Sequence, residues 1–200
     1  MILIDLNQVC IANILQEIKQ IKKIEPLLVK HMILSTLLFY RRKFSPEYGE
    51  LVICCDSKHS WRKDIFPFYK ANRKTNRQKD DIDWSGIFEV INSVTEDLKT
   101  KFPYAVLNVE HAEADDIIGV LSKYYYRNHP IMIVSSDKDF IQLHKYYNVK
   151  QFSPTQKKLL NSIDPNEYLK EHIMKGDRGD GIPNFLSDDD TFVTDKRSKK

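Results

Sequence analysis

Four short apolar runs constrain this chain most: ILID at 2–5, LVICCD at 51–56, YAVLNV at 104–109 and IMIVSSD at 131–137. Each is rich in Ile, Val and Leu and too short for a buried helix, so each reads as a strand covered on both faces. Longer segments with helical spacing separate them, at 8–24, 26–44, 84–101, 113–127, 137–145 and 164–175. Pro26 and Pro103 punctuate the pattern, and Ser, Asp or Asn before the helical stretches suit N-caps. Strands alternating with helices imply an α/β fold with a mainly parallel central sheet and helices on both faces.

Three of the four runs end in aspartate: Asp5, Asp56, and Asp137 with Asp139 just after it. In an open parallel sheet the carboxyl ends of the strands share one edge, where ligands bind, so these acids are expected to converge. Any one of them is accounted for by a strand-end turn or a helix N-cap. Together they repel one another unless cations compensate them. A fourth group, Glu113, Asp115 and Asp116 in HAEADDIIGVL, lies in the first turn of a helix, where acids also complement the helix dipole. A fifth, Asp177 and Asp180 in KGDRGDGIPN, sits in a Gly-rich turn. All-oxygen ligands suit hard ions, Mg²⁺ by default with Mn²⁺ as a substitute. Two such ions can drive an in-line displacement at phosphorus without a protein nucleophile. The six histidines are scattered without a nucleophile–base pattern, and surface or core roles suit them better.

Hydrophobic residues at 42% and charged residues at 30% describe an ordinary water-soluble balance. Two hundred residues allow one well-cored domain, or one domain and the beginning of a second. The N-terminus has no basic stretch before its apolar run, and no run approaches the ~20 residues of a membrane span. Three cysteines, two of them adjacent, form neither a disulfide framework nor a metal-ligand spacing, so a reducing compartment such as the cytoplasm is expected. The net charge of +3 is too small to mark a nucleic-acid binder, but the basic residues gather at 62–79 and 196–200, away from the acidic clusters. Residues 57–83 break the strand–helix rhythm: they are strongly charged and carry Trp61, Phe66, Phe68 and Tyr69. Aromatics of that kind can stack on unpaired bases, and Tyr69 is the first choice. A solvated loop with an aromatic foot on the core is the plainer reading.

Taken in order, ILID, CCD, EADD, SSDKDF and GDxxD resemble the flap endonuclease / 5′→3′ exonuclease family, and Trp61–Arg62 with FYKANRK bring the match nearest its phage enzymes of RNase H type. The resemblance runs from Ile2 to about Pro183. It implies a PIN-like or resolvase-like nuclease core over 1–175, with a helical arch or clamp at 58–83, and the start of a truncated helix-hairpin-helix segment at 176–200. It further implies a first metal site of Asp5, Asp56, Asp115 and Asp137, supported by Glu113 and Asp116, and a second of Asp139, Asp177 and Asp180. Arch residues Lys70 and Arg73 would contact the scissile phosphate, with Arg62, Lys63, Tyr69 and Lys74 as further substrate contacts. The substrates implied are DNA with 5′ single-stranded ends or flaps and RNA–DNA hybrids, cut with two Mg²⁺ ions to remove primers or flaps in phage replication. A monomer in the host-cell cytoplasm, touching a single-stranded-DNA-binding protein, completes that expectation. Gly181 stands where the family commonly has Asn, and no second glycine pair follows. Two alternatives stay open: a truncated domain that binds single-stranded nucleic acid with little cleavage, and a PIN-like endoribonuclease, against which the basic insertion and GDxxD speak.

Overall fold

The computed structural model describes residues 1–21, 25–73, 77, 82–162 and 164–194, with backbone only for 16–21. Six strands form one sheet: β1 (Ile2–Asp5), β2 (Leu51–Cys55), β3 (Ala105–Asn108), β4 (Ile131–Val134), β5 (Val149–Ser153) and β6 (Lys158–Leu160). Their order is β3-β2-β1-β4-β5-β6. All neighbours are parallel except β5 and β6. The chain moves outward from β1 through β2 to β3, then crosses back to β4 on the other side of β1. The crevice between β1 and β4 is therefore the topological switch point, where an open α/β sheet offers its binding site.

Helices cover both faces, as the alternation of elements predicts. Ile2 and Ile4 point to one face, against α1 (Leu6–Ile21), α2 (Pro26–Tyr48) and the helix Trp84–Lys101. Leu3, Ile131 and Ile133 point to the other, against Ala114–Tyr125 and the 3₁₀ helix Lys138–Lys145. A short helix, α3 (Arg62–Ile65), opens the segment after β2, so Trp84–Lys101 is α4, Ala114–Tyr125 is α5 and the last helix, Pro165–Lys175, is α6. The adjacent Cys54 and Cys55 alternate in the same way, one buried on each face, and both are free thiols. Asp97 of α4, also buried, takes Lys30 of α2 and Lys101 as partners and ties two helices of the first face together.

The sheet is wider than the four apolar runs imply. β5 and β6 escape a search for apolar runs because Val149–Ser153 reads VKQFS, whose inward positions include Gln151 and Ser153, both fully buried. Gln151 is satisfied: its amide donates to the carbonyls of Ser135 (2.9 Å) and Asp137 (2.6 Å), and its oxygen lies 3.1 Å from His144 Nε2. A buried amide with its partners in place costs little and fixes the backbone it bonds. Here that backbone is the turn after β4 that carries Asp137. The stretch 137–145, expected to be helical, is a 3₁₀ helix over Lys138–Lys145. No helix among the described residues is long and apolar enough to cross a membrane.

Beyond α6 the chain turns sharply. Gly176 has φ 69° and ψ −179°, a region that belongs essentially to glycine, and a Cβ there would lie 2.4 Å from the carbonyl of Pro183. Asp177 and Ile182 then pair as an antiparallel bridge that closes the loop carrying Asp180. Gly176→Ala is expected to lower stability by more than about 1–3 kcal/mol, the cost of one such backbone position, since the clash with Pro183 adds to it, as measured by urea denaturation.

Candidate metal and phosphate site

The expected acids do meet at the carboxyl edge of the sheet. Asp5 ends β1 and is 7% exposed. Its Oδ1 caps the start of α1 through the Gln8 N–H (3.1 Å), and Ser135 donates to its Oδ2 at 3.3 Å. The capping role and the cluster role are thus held by the same side chain. Asp56 follows β2 and accepts from Ala114 N–H (2.8 Å) at the head of α5 and from Asn7 Nδ2 (2.5 Å). Asp115 lies in the first turn of α5. Asp137 caps the 3₁₀ helix through Asp139 N–H at 2.9 Å.

These four carboxylates have no basic side chain bonded to them among the described residues. Burial, then the charges of Asp56 and Asp137, push Asp5 up to about 7. Burial, then the charges of Asp5 and Asp137, push Asp115 up to about 8, against some relief from Lys70. Two like charges 4 Å apart cost about 4 kcal/mol at an effective dielectric constant near 20, so a full set of ionised groups here requires a cation between them. The donors are all oxygen, and hard divalent ions fit that chemistry.

Asp139, Asp177 and Asp180 form a second group beside the first. Asp139 is raised, first by burial and then by Asp137, with Asp180 and Asp177 adding to it. His172 sits among them, with Nε2 3.0 Å from Asp139 Oδ1 and 3.6 Å from Asp177 Oδ2. By sequence His172 is one of six scattered histidines. Its only signal is its place on the last turn of α6, four residues before GDRGD.

The remaining acids are already matched by bases. Asp116 accepts both nitrogens of the Arg62 fork (2.8 and 2.9 Å), Trp61 Nε1 (3.1 Å) and the Glu113 N–H (2.9 Å). Burial opposes its ionisation, and those bonds, Arg62 above all, hold it below its ordinary range. Glu113 is also held low against its burial, by Lys70 at 2.9 Å and by the Tyr69 hydroxyl at 2.8 Å. Asp116 accepts four hydrogen bonds and anchors the segment that begins at Trp61. Arg62 is paired with Asp116, as Lys70 is with Glu113 and Arg73 with Asp180. Tyr69 is 3% exposed, too buried to stack on a base, and its hydroxyl lies between Glu113 and Asp180 (3.0 Å).

The segment 69–73 and the loop 177–182, far apart in sequence, are knitted together. Lys70 N–H donates to Asp180 O (2.7 Å), Asn72 Nδ2 to Arg178 O (2.7 Å), and Arg73 to Gly179 O (3.0 Å) and Asp180 Oδ1 (2.5 Å). Lys70 has φ +55°, a left-handed conformation that a non-glycine residue holds only when its surroundings enforce it. The result aims its ammonium at the acidic edge. Gly181, at φ +74°, lets this loop approach: a Cβ there would sit 3.0 Å from Phe68 O. Lys63 is exposed on α3, and Lys74 lies outside the described residues. A groove of about 820 Å³ runs alongside, lined by Trp61, Phe66, Asp115, Asp139, Asp180 and Phe185 among others.

An open α/β sheet with uncompensated carboxylates at its switch point is the arrangement of a resolvase-like domain. The chain belongs to the family described as the 5′-3′ exonuclease N-terminal, resolvase-like domain, whose profile matches residues 2–173. It is 37% identical over 198 residues to ribonuclease H of Enterobacteria phage T4, covering 96% of this chain and 65% of that protein. It is 32% identical over 133 residues to flap endonuclease Xni of a Shewanella strain (MR-4), covering 62% of this chain and 47% of that protein. The chain thus spans just under two thirds of the first relative and about half of the second. Among solved structures it is similar to the T5 5′-exonuclease with bound zinc, with a TM-score of 0.74 at 20% identity over 92% of this chain and 69% of that one.

The raised carboxyls predict how stability responds to pH. Between about pH 4 and the folded-state values near 7 and 8, Asp5 and Asp115 hold protons in the fold that they lose on unfolding. Stability of the metal-free protein therefore falls as pH rises through that window. Urea midpoints measured in EDTA from pH 5 to 8.5 should decline, Asp5→Asn should flatten the decline, and added Mg²⁺ should raise the midpoint more at pH 8 than at pH 5.

Proposed function

We propose that this chain is the catalytic part of a two-metal-ion phosphodiesterase, a 5′→3′ exonuclease and flap endonuclease with RNase H-type action on RNA–DNA hybrids, working in phage DNA replication. The observation that carries the reading is the sorting of charge at the sheet edge: among the described residues Asp5, Asp56, Asp115 and Asp137 stand without basic partners, while Lys70 and Arg73 are held on Glu113 and Asp180. The first ion belongs with those four residues, and the second with Asp139, Asp177 and Asp180. Bound there, two Mg²⁺ ions, or Mn²⁺ in their place, would neutralise the scissile phosphate and lower the pKa of an attacking water.

The chain's own residues supply orientation and charge. Lys70 and Arg73 offer a point charge and a planar fork for non-bridging phosphate oxygens. Each must then leave a carboxylate, Glu113 or Asp180, that holds it in this structure. Asp56 and Asp137 are oriented by backbone and amide donors, so they need no reorganisation to act. Gln151 and Ser135 hold the β4 turn that presents Asp137. The substrates are 5′-ended single strands, flaps and RNA–DNA hybrids. The enzyme acts as a monomer in the cytoplasm of the host cell, in contact with a single-stranded-DNA-binding protein. Residues 176–200 begin a duplex-binding segment.

The test is cleavage of a 5′-labelled flap and of an RNA–DNA hybrid, with Mg²⁺ and with EDTA. Asp56→Asn and Asp137→Asn should abolish metal-dependent cutting. Lys70→Ala should lower kcat by about 10²–10³-fold, the usual cost of losing one electrostatic stabiliser of the transition state. Binding of the same oligonucleotides without cutting at any Mg²⁺ or Mn²⁺ concentration would instead make this 200-residue form a binding domain.

A further inference from the structure

We infer that His172, through Nε2, is a protein ligand of the second divalent ion, beside Asp139 and Asp177. The inference rests on the two-metal reading above and names a donor that the acidic motifs do not contain. The ligand atoms of Asp139, His172 and Asp177 all lie within 4.8 Å of one another. Nε2 is 3.0 Å from Asp139 Oδ1, yet Oδ1 is buried and has no hydrogen-bond partner. The two atoms are close without being aimed at each other as donor and acceptor. Lone pairs that converge on a shared point behave in this way. Two adjacent ligands on a six-coordinate ion with bonds of ~2.1 Å lie about 3.0 Å apart, which is the separation seen here.

The ring is also held in place. Tyr168, one turn earlier on α6, stacks on it with centroids 5.8 Å apart and planes 12° from parallel. The Gly176 turn brings Asp177 back beside it, and the 3₁₀ helix brings Asp139 from the other side. These three elements meet only in the folded chain.

A nitrogen donor changes which ion the position prefers. Carboxylates alone suit Mg²⁺ and Mn²⁺, whereas imidazole favours borderline ions such as Co²⁺ and Zn²⁺. The first position, with four carboxylates, keeps the harder preference. The two positions are therefore chemically unequal, and the second is the one that discriminates among metals.

Calorimetric titration of Co²⁺ and of Mg²⁺ into the purified chain, compared with His172→Gln and His172→Asn, tests this without substrate. His59, Asp64 and His111 also cluster on the exposed surface, so all titrations use a His111→Ala background. Removing His172 should weaken one class of Co²⁺ site by about 10–100-fold or more, the range already seen when only an outer partner of a ligand is lost, and leave Mg²⁺ affinity little changed. In the protein with His172 intact, the ¹⁵N resonance of its Nε2 should shift when Zn²⁺ is added. Unchanged Co²⁺ affinity in both His172 variants, or a His172 ring signal that ignores Zn²⁺, overturns the inference. That result leaves the two-metal reading standing if Asp56→Asn still removes a metal class and still abolishes cleavage. Absence of any divalent-ion binding overturns both.

Discussion

Negative charge that the protein itself does not neutralise is the constraint around which this structure is arranged. Asp5 closes the central strand of the sheet with its carboxyl almost out of solvent, and Asp115 reaches toward it from the head of α5. A parallel sheet makes that convergence unavoidable, since every strand end arrives at one edge. Burial then turns it into a site, because mutual repulsion in a poorly hydrated crevice is large compared with the net stability of a domain. Small donors, the Gln8, Ala114 and Asp139 N–H groups, orient the carboxylates without removing their charge. Demand for a cation is thereby left unmet.

Around that centre the remaining acids and bases form a structural frame. Asp116 fastens the start of the segment after β2 through Arg62 and Trp61, and Glu113 and Asp180 hold Lys70, Tyr69 and Arg73. The same frame joins residues 69–73 to the loop 177–182, so the groups on either side of the crevice are positioned by one connected set of bonds. A left-handed lysine and two left-handed glycines are the backbone cost of that junction. The glycine at 181 fits the junction: the approach of Phe68 O leaves little room for a side chain.

Much of this was legible in the residues. Strand ends at Asp5 and Asp56, and the helix over 84–101, follow directly from apolar runs and helical spacing, because burial writes itself into composition. The acidic groups were legible for a related reason: aspartate at the end of an apolar strand is conspicuous. β5 was hidden because its buried positions are Gln151 and Ser153, polar residues that only specific partners make affordable. His172 was hidden because one histidine on a polar helix has no pattern until Asp139 and Asp177 surround it.

The sequence by itself determined the class of fold, the edge on which the acids gather and the kind of ion they suit, since those depend on local periodicity and on residue chemistry. Only the tertiary structure decided which acids remain without a counter-charge. That depends on which cations reach them, and Arg62, Lys70 and Arg73 reach theirs across separations of 43 to 107 residues. Charge compensation is a matter of distances of a few ångströms, and contacts made across the fold at that range leave no mark on local sequence.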